Sequence, residues 1–461
     1  MAAPEAAAAA EGENGDGDEE EEALRRLQDL VTELHRFRDS LPKKPRDPGA
    51  DSADPADSAD PADPADPEAL ARQMEATLQL MDQVTVPPSS RARALLLRAQ
   101  ALAVAPQGAA GAEQALGRAV KLEPRLSRAW TRLGELRWRR GDLRGAHDCF
   151  RGALQHGEDA EARRLLSMVL RAGGGDRDRD GDKDNMGALR ESRDQAEAAV
   201  RCDPRDGSSW YVLGNAYVSL FFAGGQNPQD AQRALGAYAQ AERVDPKAAN
   251  NPDLHLNRAT LLQYQERFGA ALDGLSRAAA LAPGWAEPRR RHAHLLDFLE
   301  RLRAALANRV RPRGGRSRRG LEVGGAAAGG VASEGLRPLR PGANPGQVLS
   351  GRVLFTLSPP ERVPLALGVA VGGGAVAVVT VYNAAPGWGV GPGEGLGVPN
   401  PHLTLHQHLH QGQTFSFPGI RVSSPLSLLV NGKRPPPSAL APPRLALSAP
   451  PPLPDTPPAP Q

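Results

Sequence analysis

In blocks between Leu24 and Leu306, apolar residues recur every three or four positions, the spacing that puts them on one face of a helix. Leu24, Leu27, Leu30, Val31, Leu34 and Phe37 predict one amphipathic helix over residues 23–41. A second carries Leu70, Met74, Leu78, Met81 and Val84. Pro87-Pro88 ends it, since proline cannot donate the hydrogen bond that a further turn needs. A last long helix holds Trp285, Leu295, Leu296, Phe298, Leu299, Leu302 and Leu306. From residue 347 the period shortens to two. Val348–Leu357, Val363–Val371, Ala375–Tyr382, His402–Gln411 and Thr414–Val430 read as strands separated by Pro and Gly turns.

Between the second and last helices a grammar of large and small residues repeats. Trp210, Leu213, Gly214 and Tyr217 stand at W-x2-L-G-x2-Y spacing, answered by Ala234, Tyr238 and Ala241 and closed by Pro246. A second pass runs through Ala259, Ala271, Leu275 and Ala278 to Pro283. Upstream, Trp130, Leu133 and Gly134 lead to Ala146, Phe150 and Ala153, with Arg137 in place of the expected aromatic. Ala119 with Pro124, and Ala199 with Pro204, close two further units. This is the pattern of tetratricopeptide helix pairs, in which small residues let antiparallel helices approach and large ones fill the gaps. A pair cannot bury its own apolar face, so pairs stack into a solenoid with a groove along one side. That groove is where function is expected. The strands after it predict a small all-β barrel of the oligonucleotide/oligosaccharide-binding type, with a sandwich as the alternative.

Composition divides the chain further. Residues 1–22 are acidic and of low complexity, and disorder is expected there. Residues 42–67 repeat Ala-Asp-Pro and Ala-Asp-Ser, an extended linker whose aspartates offer a metal no preorganised cage. The solenoid with its capping helix is assigned to 68–308, an Arg-rich then Gly/Ala-rich linker to 309–346, the barrel to 347–432 and a Pro-rich tail to 433–461. Two irregularities fall inside the repeats, a charged Gly-rich loop at 173–185 and a lengthened turn at 221–228. The chain has 461 residues with 49 glycines, 43 prolines and only 4% aromatics, so a good part of it cannot build a packed core. Its two cysteines, Cys149 and Cys202, sit in repeat helices and predict a reducing compartment without a disulfide framework. No apolar run reaches the ~18 residues of a spanning helix, and the acidic start is no secretory signal, so no membrane association is expected.

Candidate chemistry is sparse. No P-loop, G-x-S-x-G, H-E-x-x-H or paired C-x-x-C is found, which predicts a binding scaffold without cofactor and not an enzyme. The Asp-x-Asp run within 173–185 lacks the Glu that a calcium loop requires at its twelfth position. His402, His406, His408 and His410 share one side of a strand. With no Cys or acid at ligand spacing, an exposed polar face is expected there and not a zinc site. Few exposed aromatics beyond Phe415 and Phe417 are expected on the barrel, which argues against RNA binding by it. Arg309, Arg311, Arg313, Arg316, Arg318 and Arg319 form the strongest charge cluster. They read as a nuclear-import signal, as a patch for RNA, ribosome or an acidic partner, or as a solvated linker. No specific DNA contact is expected.

SWYVLGNAYVSLFF, GQNP, GAYAQAERVDPKAANNPDLHLNRATL, LSRAAALAPGWAEPR, LSMVLR and VTVYNAAPGWGV resemble the tetratricopeptide repeat protein five family. The resemblance covers roughly residues 20–40 and 68–432, including the non-consensus insertion at 221–228 and the strands. It implies a tetratricopeptide solenoid followed by a C-terminal barrel. It also implies an adaptor that recognises the Met-Arg-Glu start of nascent α- and β-tubulin near the ribosome exit tunnel. Decay of the translating tubulin mRNA then follows through a deadenylase-recruiting adaptor. A nuclear role beside an acetyltransferase coactivator and stress-response transcription factors belongs to the same family, so cytoplasm and nucleus are both expected. The groove residues implied are Arg171 in LSMVLR, Asp253 in NNPDLHLNR and Glu287 in PGWAEPR. Their charges suit the task. A Met-Arg-Glu peptide offers an α-amino group and a guanidinium to Asp253 and Glu287, and a carboxylate to Arg171. The family's basic segment after the last helix corresponds to the arginine cluster in character only, Arg standing where the family has Lys.

Overall fold

The computed structural model describes residues 8–42, 66–173, 181–310, 335–357 and 364–441. Two compact units meet in the chain between Leu254 and His255.

The first unit opens with α1 (Ala8–Ser40) and α2 (Pro67–Asp82). Leu27, Val31 and Leu34 of α1 pack on Leu70, Met74 and Met81 of α2. Helix α1 therefore starts inside the acidic stretch expected to be disordered. Glu19–Glu22 are strong helix formers and the apolar face downstream nucleates the helix, which runs back through Gly12, Gly15 and Gly17 against their low propensity. Helix α2 starts at Pro67 because Asp66 caps it, accepting from Ala69 N at 2.9 Å. Most of the Asp/Pro linker lies outside the described residues.

Four helix pairs follow: α3 (Arg91–Leu102) with α4 (Ala109–Leu122), α5 (Ser127–Arg139) with α6 (Leu143–Leu154), α7 (Ala160–Ala172) with α8 (Gly181–Cys202), and α9 (Gly207–Ala223) with α10 (Pro228–Val244). The motif residues do what their sizes suggest. A side chain at Gly134 would meet Phe150, and one at Gly214 would meet Tyr238, so each glycine is where the pair touches. Trp130 Nε1 donates to Pro124 O, and Trp210 Nε1 to Pro204 O, both at 2.9 Å. The opening Trp of a pair is thereby bolted to the Pro that ends the previous one. Aspartates that cap a first helix also stitch it to its predecessor. Asp159 accepts from Ala162 N and from Ser127 and Thr131 of α5, and Asp206 accepts from Ser208 N, Ser209 N and Arg164 of α7. Part of the 173–185 loop is helical, since α8 begins at Gly181; residues 174–180 are outside the described set.

A short helix, α11 (Pro246–Ala249), leads into α12 (Pro252–Tyr264), which crosses the division between the units. The second unit continues with α13 (Phe268–Leu281), α14 (Ala286–Val310) and one sheet. Its strands are β1 (Gly342–Ala343), β2 (Val348–Leu357), β3 (Leu365–Val371), β4 (Val376–Val381), β5 (Gly395–Pro399), β6 (His402–His410), β7 (Gln413–Val422) and β8 (Leu429–Val430). The order is β1-β6-β7-β4-β3-β2-β5-β8, antiparallel except for the parallel pair β4 and β7. Leu349, Val353, Leu367, Val369, Val379, Ile420 and Val422 are among its core.

The all-β C-terminal domain is as expected, with two differences. The sheet is open, with β1 and β8 as edges, and it has eight strands where five were expected. Residues expected to be linker or tail also join it: Leu336 and Leu339 pack on the core, Asn344 ties Arg340 and Gly342 to Pro401, and Ala439 is buried.

The histidine face differs as well. His406 and His410 are buried, as are Phe415 and Phe417, because this side of β6 and β7 packs on helices: Phe268 of α13 touches the His406 and His408 rings, and His292 of α14 touches His410. The exposed side carries Leu405 and Leu409 instead. Among the described residues no group of three or more His, Cys, Asp or Glu could hold a metal ion, and no helix is long and apolar enough to cross a membrane.

Candidate functional site

The first helices α5, α7 and α9 lie side by side, so residues repeated on each form one continuous surface. Ionic groups lace it. Arg132 Nη1 meets Glu135 at 2.6 Å and its Nη2 meets Glu161 of α7 at 3.4 Å, while Arg164 meets Asp206 at 2.8 Å.

Arg171 stands in the last turn of α7, where a cation is favoured by the exposed carbonyls of the helix end. It is half-buried. Beside it is a polar cluster that sequence reasoning treats as packing alone. Tyr238 of α10 is fully buried and donates its hydroxyl to Asn215 Oδ1 of α9 at 2.7 Å, with the Tyr211 ring 6.4 Å away. Burial, with a contribution from Tyr211, pushes the Tyr238 phenol well above its usual range, and the positive charge of Arg171 opposes the shift. Tyr238 therefore stays a phenol and a hydrogen-bond donor. The sequence signal was available: Asn215 follows Gly214 directly, a polar residue at the tightest point of a helix pair.

Asp253 is also in the first unit, in the first turn of α12, and is buried. An acid there is stabilised by the unpaired amides of the helix start. The Asn251 side chain holds its backbone, accepting from Asp253 N at 2.9 Å.

Glu287 belongs to the second unit, in the first turn of α14. Its side chain is only 12% exposed, and both oxygens are engaged by its own helix. Arg290 donates to one oxygen, and Arg291 Nε donates to the other at 2.6 Å. Arg291 also reaches Thr260 Oγ1 of α12 at 2.9 Å. Burial would raise the Glu287 carboxyl, but Arg291 and Arg290 outweigh it and hold the group below the ordinary carboxylate range. Of the arginine cluster, Arg309 is the penultimate residue of α14, while Arg311, Arg313, Arg316, Arg318 and Arg319 lie outside the described residues.

A second ionic cluster in the same unit was not foreseen. Glu266, at a positive backbone φ of 61° between α12 and α13, is buried and accepts from Thr380 Oγ1 at 2.5 Å. His406 Nε2 and Arg421 Nη1 approach it at 3.5 and 3.6 Å, long for hydrogen bonds and so mainly electrostatic. Arg421 donates to Tyr264 O at 2.6 Å and lies against the Tyr264 and Tyr382 rings, 4.7 and 3.8 Å from their centres. Burial raises the Glu266 carboxyl, but His406, Arg421 and Thr380 together bring it below the usual value.

Comparison with known proteins adds a lineage. Residues 332–444 match the family model described as the Tetratricopeptide repeat protein 5 OB fold domain. Over 426 residues the chain is 42% identical to Tetratricopeptide repeat protein 5 of Homo sapiens, covering 89% of this chain and 93% of that one. The Mus musculus protein of that name matches at the same identity and coverage. Among solved structures, a thermophilic TPR protein of Thermus thermophilus is 19% identical with a TM-score of 0.35, covering 44% of this chain and 98% of its own.

Proposed function

Because the chain belongs to the Tetratricopeptide repeat protein 5 family, whose helix pairs make a protein-binding adaptor, we propose that it reads the Met-Arg-Glu start of nascent tubulin and triggers decay of the translating tubulin mRNA. It does so without catalysis, bringing a deadenylase-recruiting adaptor to the ribosome. The observation that carries this reading is Arg171: a guanidinium at a helix end, near enough to the buried Tyr238–Asn215 pair to act on the Tyr238 phenol. A cation at this place suits a peptide carboxylate. Asp253 and Glu287, both held in first turns, suit an α-amino group and an arginine. Such charge-assisted contacts are directional, and preorganised side chains lose little freedom when the ligand arrives. The alternative reading is a nuclear scaffold for an acetyltransferase coactivator in the stress response, with the arginine cluster as the candidate for import.

Titration of a Met-Arg-Glu peptide tests the groove. Arg171→Ala should weaken binding about ten- to a hundredfold, the worth of one charge-assisted contact of about 1.5–3 kcal/mol, with the helical content unchanged. A wild-type dissociation constant for that variant would exclude Arg171 as a contact.

A further inference from the structure

The hairpin of β6 and β7 presents an edge that the peptide reading does not use. Its turn is Gln411-Gly412, both at positive φ (47° and 76°), so His410 and Gln413 form the closing pair and exchange both main-chain hydrogen bonds. The register runs unbroken from there to His402 against Arg421, and in an antiparallel ladder hydrogen-bonded pairs alternate with open ones. His410, His408, His406 and Thr404 therefore turn their N–H and C=O groups to β7. Leu409, Gln407, Leu405 and Leu403 turn theirs outward. Two contacts agree with this parity: Leu403 pairs with Gly342 of β1, and Pro401 O accepts from Asn344 N at 3.1 Å. Strand β1 covers no more of the edge than that. Among the described residues no main-chain partner faces Leu405, Gln407 or Leu409 on the outer side.

The side chains of these three residues are open as well. Leu405 and Leu409 are 64% and 69% exposed, while His406 and His410 on the opposite face are buried. Proteins commonly blunt such an edge with a charge, a proline or a bulge. Residues His402 to Gln411 include no Lys, Arg, Asp, Glu or Pro, and the ladder has no bulge. The pattern instead matches itself. Gln407 lies midway between the two leucines, so a second β6 laid antiparallel about a two-fold axis sets Gln407 against Gln407. Leu405 of each copy then meets Leu409 of the other. All three pairs join outward-turned residues, so each exchanges two hydrogen bonds, and both leucine pairs lie on one face. Sliding one copy by one residue brings inward-turned groups to the seam. Sliding it by two sets leucine against glutamine.

We propose that the β6 edge from Leu405 to Leu409 is a self-association seam, through which two copies of this chain join their sheets about a two-fold axis at Gln407. The seam is smaller than the ~1,600 Å² of a standard interface, so the dimer is weak and follows concentration.

Sedimentation equilibrium of the full-length protein tests this. A reversible dimer with a dissociation constant on the order of tens of micromolar is expected. The double change Leu405→Lys with Leu409→Lys, at exposed positions, should keep the melting temperature and weaken dimerisation at least about tenfold. Gln407→Pro removes an N–H that the hairpin does not use and should do the same. Ser416→Lys, exposed on β7 opposite Gln407, lies one strand away from the seam and should dimerise like the wild type. Gln407→Cys in a Cys202→Ser background should oxidise to a covalent dimer, since the paired Cα atoms would stand about 5.5 Å apart. A wild type that stays monomeric, with no cross-link through Gln407→Cys, excludes the second copy and leaves the edge to an extended segment of another protein. A dimer that survives both the leucine changes and Gln407→Pro forms elsewhere. Loss with the leucine changes and Ser416→Lys, but not with Gln407→Pro, means packing face to face and overturns the edge pairing.

Discussion

Gly214→Ala is the smallest change that tests the helix-pair logic. A Cβ built on Gly214 would lie 2.4 Å from Tyr238 Cε1 and 2.6 Å from Cδ1, about an ångström inside van der Waals contact. Tyr238 cannot retreat freely, since it is fully buried and its hydroxyl is bound to Asn215 at 2.7 Å. Overpacking of this kind costs about 1–3 kcal/mol, and a strained hydroxyl contact adds about 1. The better helix propensity of alanine returns about 1, leaving a net loss of about 2 kcal/mol. Gly236 provides the control. It is exposed on the next helix, and a Cβ there meets nothing within 4 Å, so Gly236→Ala should gain about 0.5–1 kcal/mol. For a unit of this size the two variants should melt about 4–8 °C below and about 1–4 °C above the wild type. Scanning calorimetry with tryptophan fluorescence reads both transitions. Should Gly214→Ala melt at or above Gly236→Ala, Gly214 is not where the helices touch.

Asp206→Ala removes both a cap and an inter-repeat tie and should cost about 1–2 kcal/mol, with Asp206→Asn recovering most of it if the cap dominates; denaturant midpoints decide this. Burial lowers the His292 and His408 pKa values, with neighbouring histidines adding to it, so their stability contribution is complete above about pH 6.5 and is lost as pH falls from there through the lowered folded values. Glu266, held below its usual value, adds a second loss only below about pH 4.3. Denaturant midpoints between pH 8 and 3 should therefore decline in two stages, and replacing His292 and His408 by Gln should flatten the first alone. Changing Arg311, Arg313, Arg316 and Arg318 to Glu should abolish co-sedimentation with ribosomes, steeply salt-dependent in the wild type, while the groove still binds free peptide. If the variant stays on ribosomes and leaves the nucleus, the cluster is an import signal instead.

The helix pairs were legible because their contacts are local: Gly214 meets Tyr238, and Trp210 reaches Pro204, within a few tens of residues, so spacing alone encodes them. The strands with alternating side chains were legible for the same reason. What was not legible depends on distant partners. Strand β5 reads Gly-Leu-Gly-Val-Pro, and only pairing with β2 and β8 makes it a strand. The His406 side of β6 looks polar, and it is burial against α13 that turns it inward. Thr380 stands 114 residues from Glu266, so no window of sequence joins them. Glu287 was reached by resemblance alone. Its arginine neighbours were plain in the sequence, but the tie of Arg291 to Thr260, on another helix, was not.

The Glu266 cluster bears on how such a chain can be cut and recombined. By sequence the barrel looks like a cassette beginning near residue 347. Physically, Arg421 of the sheet takes its counter-charge from Glu266, His406 faces the same carboxylate, and the Tyr382 ring packs on Tyr264, so the cassette begins inside the helical repeats. A fragment cut at 347 would lack Glu266 and Tyr264, leaving Arg421 without the carboxylate and the carbonyl it meets here. The smallest exchangeable piece begins near His255 and takes the last helix pair with it. Downstream of that point, helix and sheet must evolve as one inheritance.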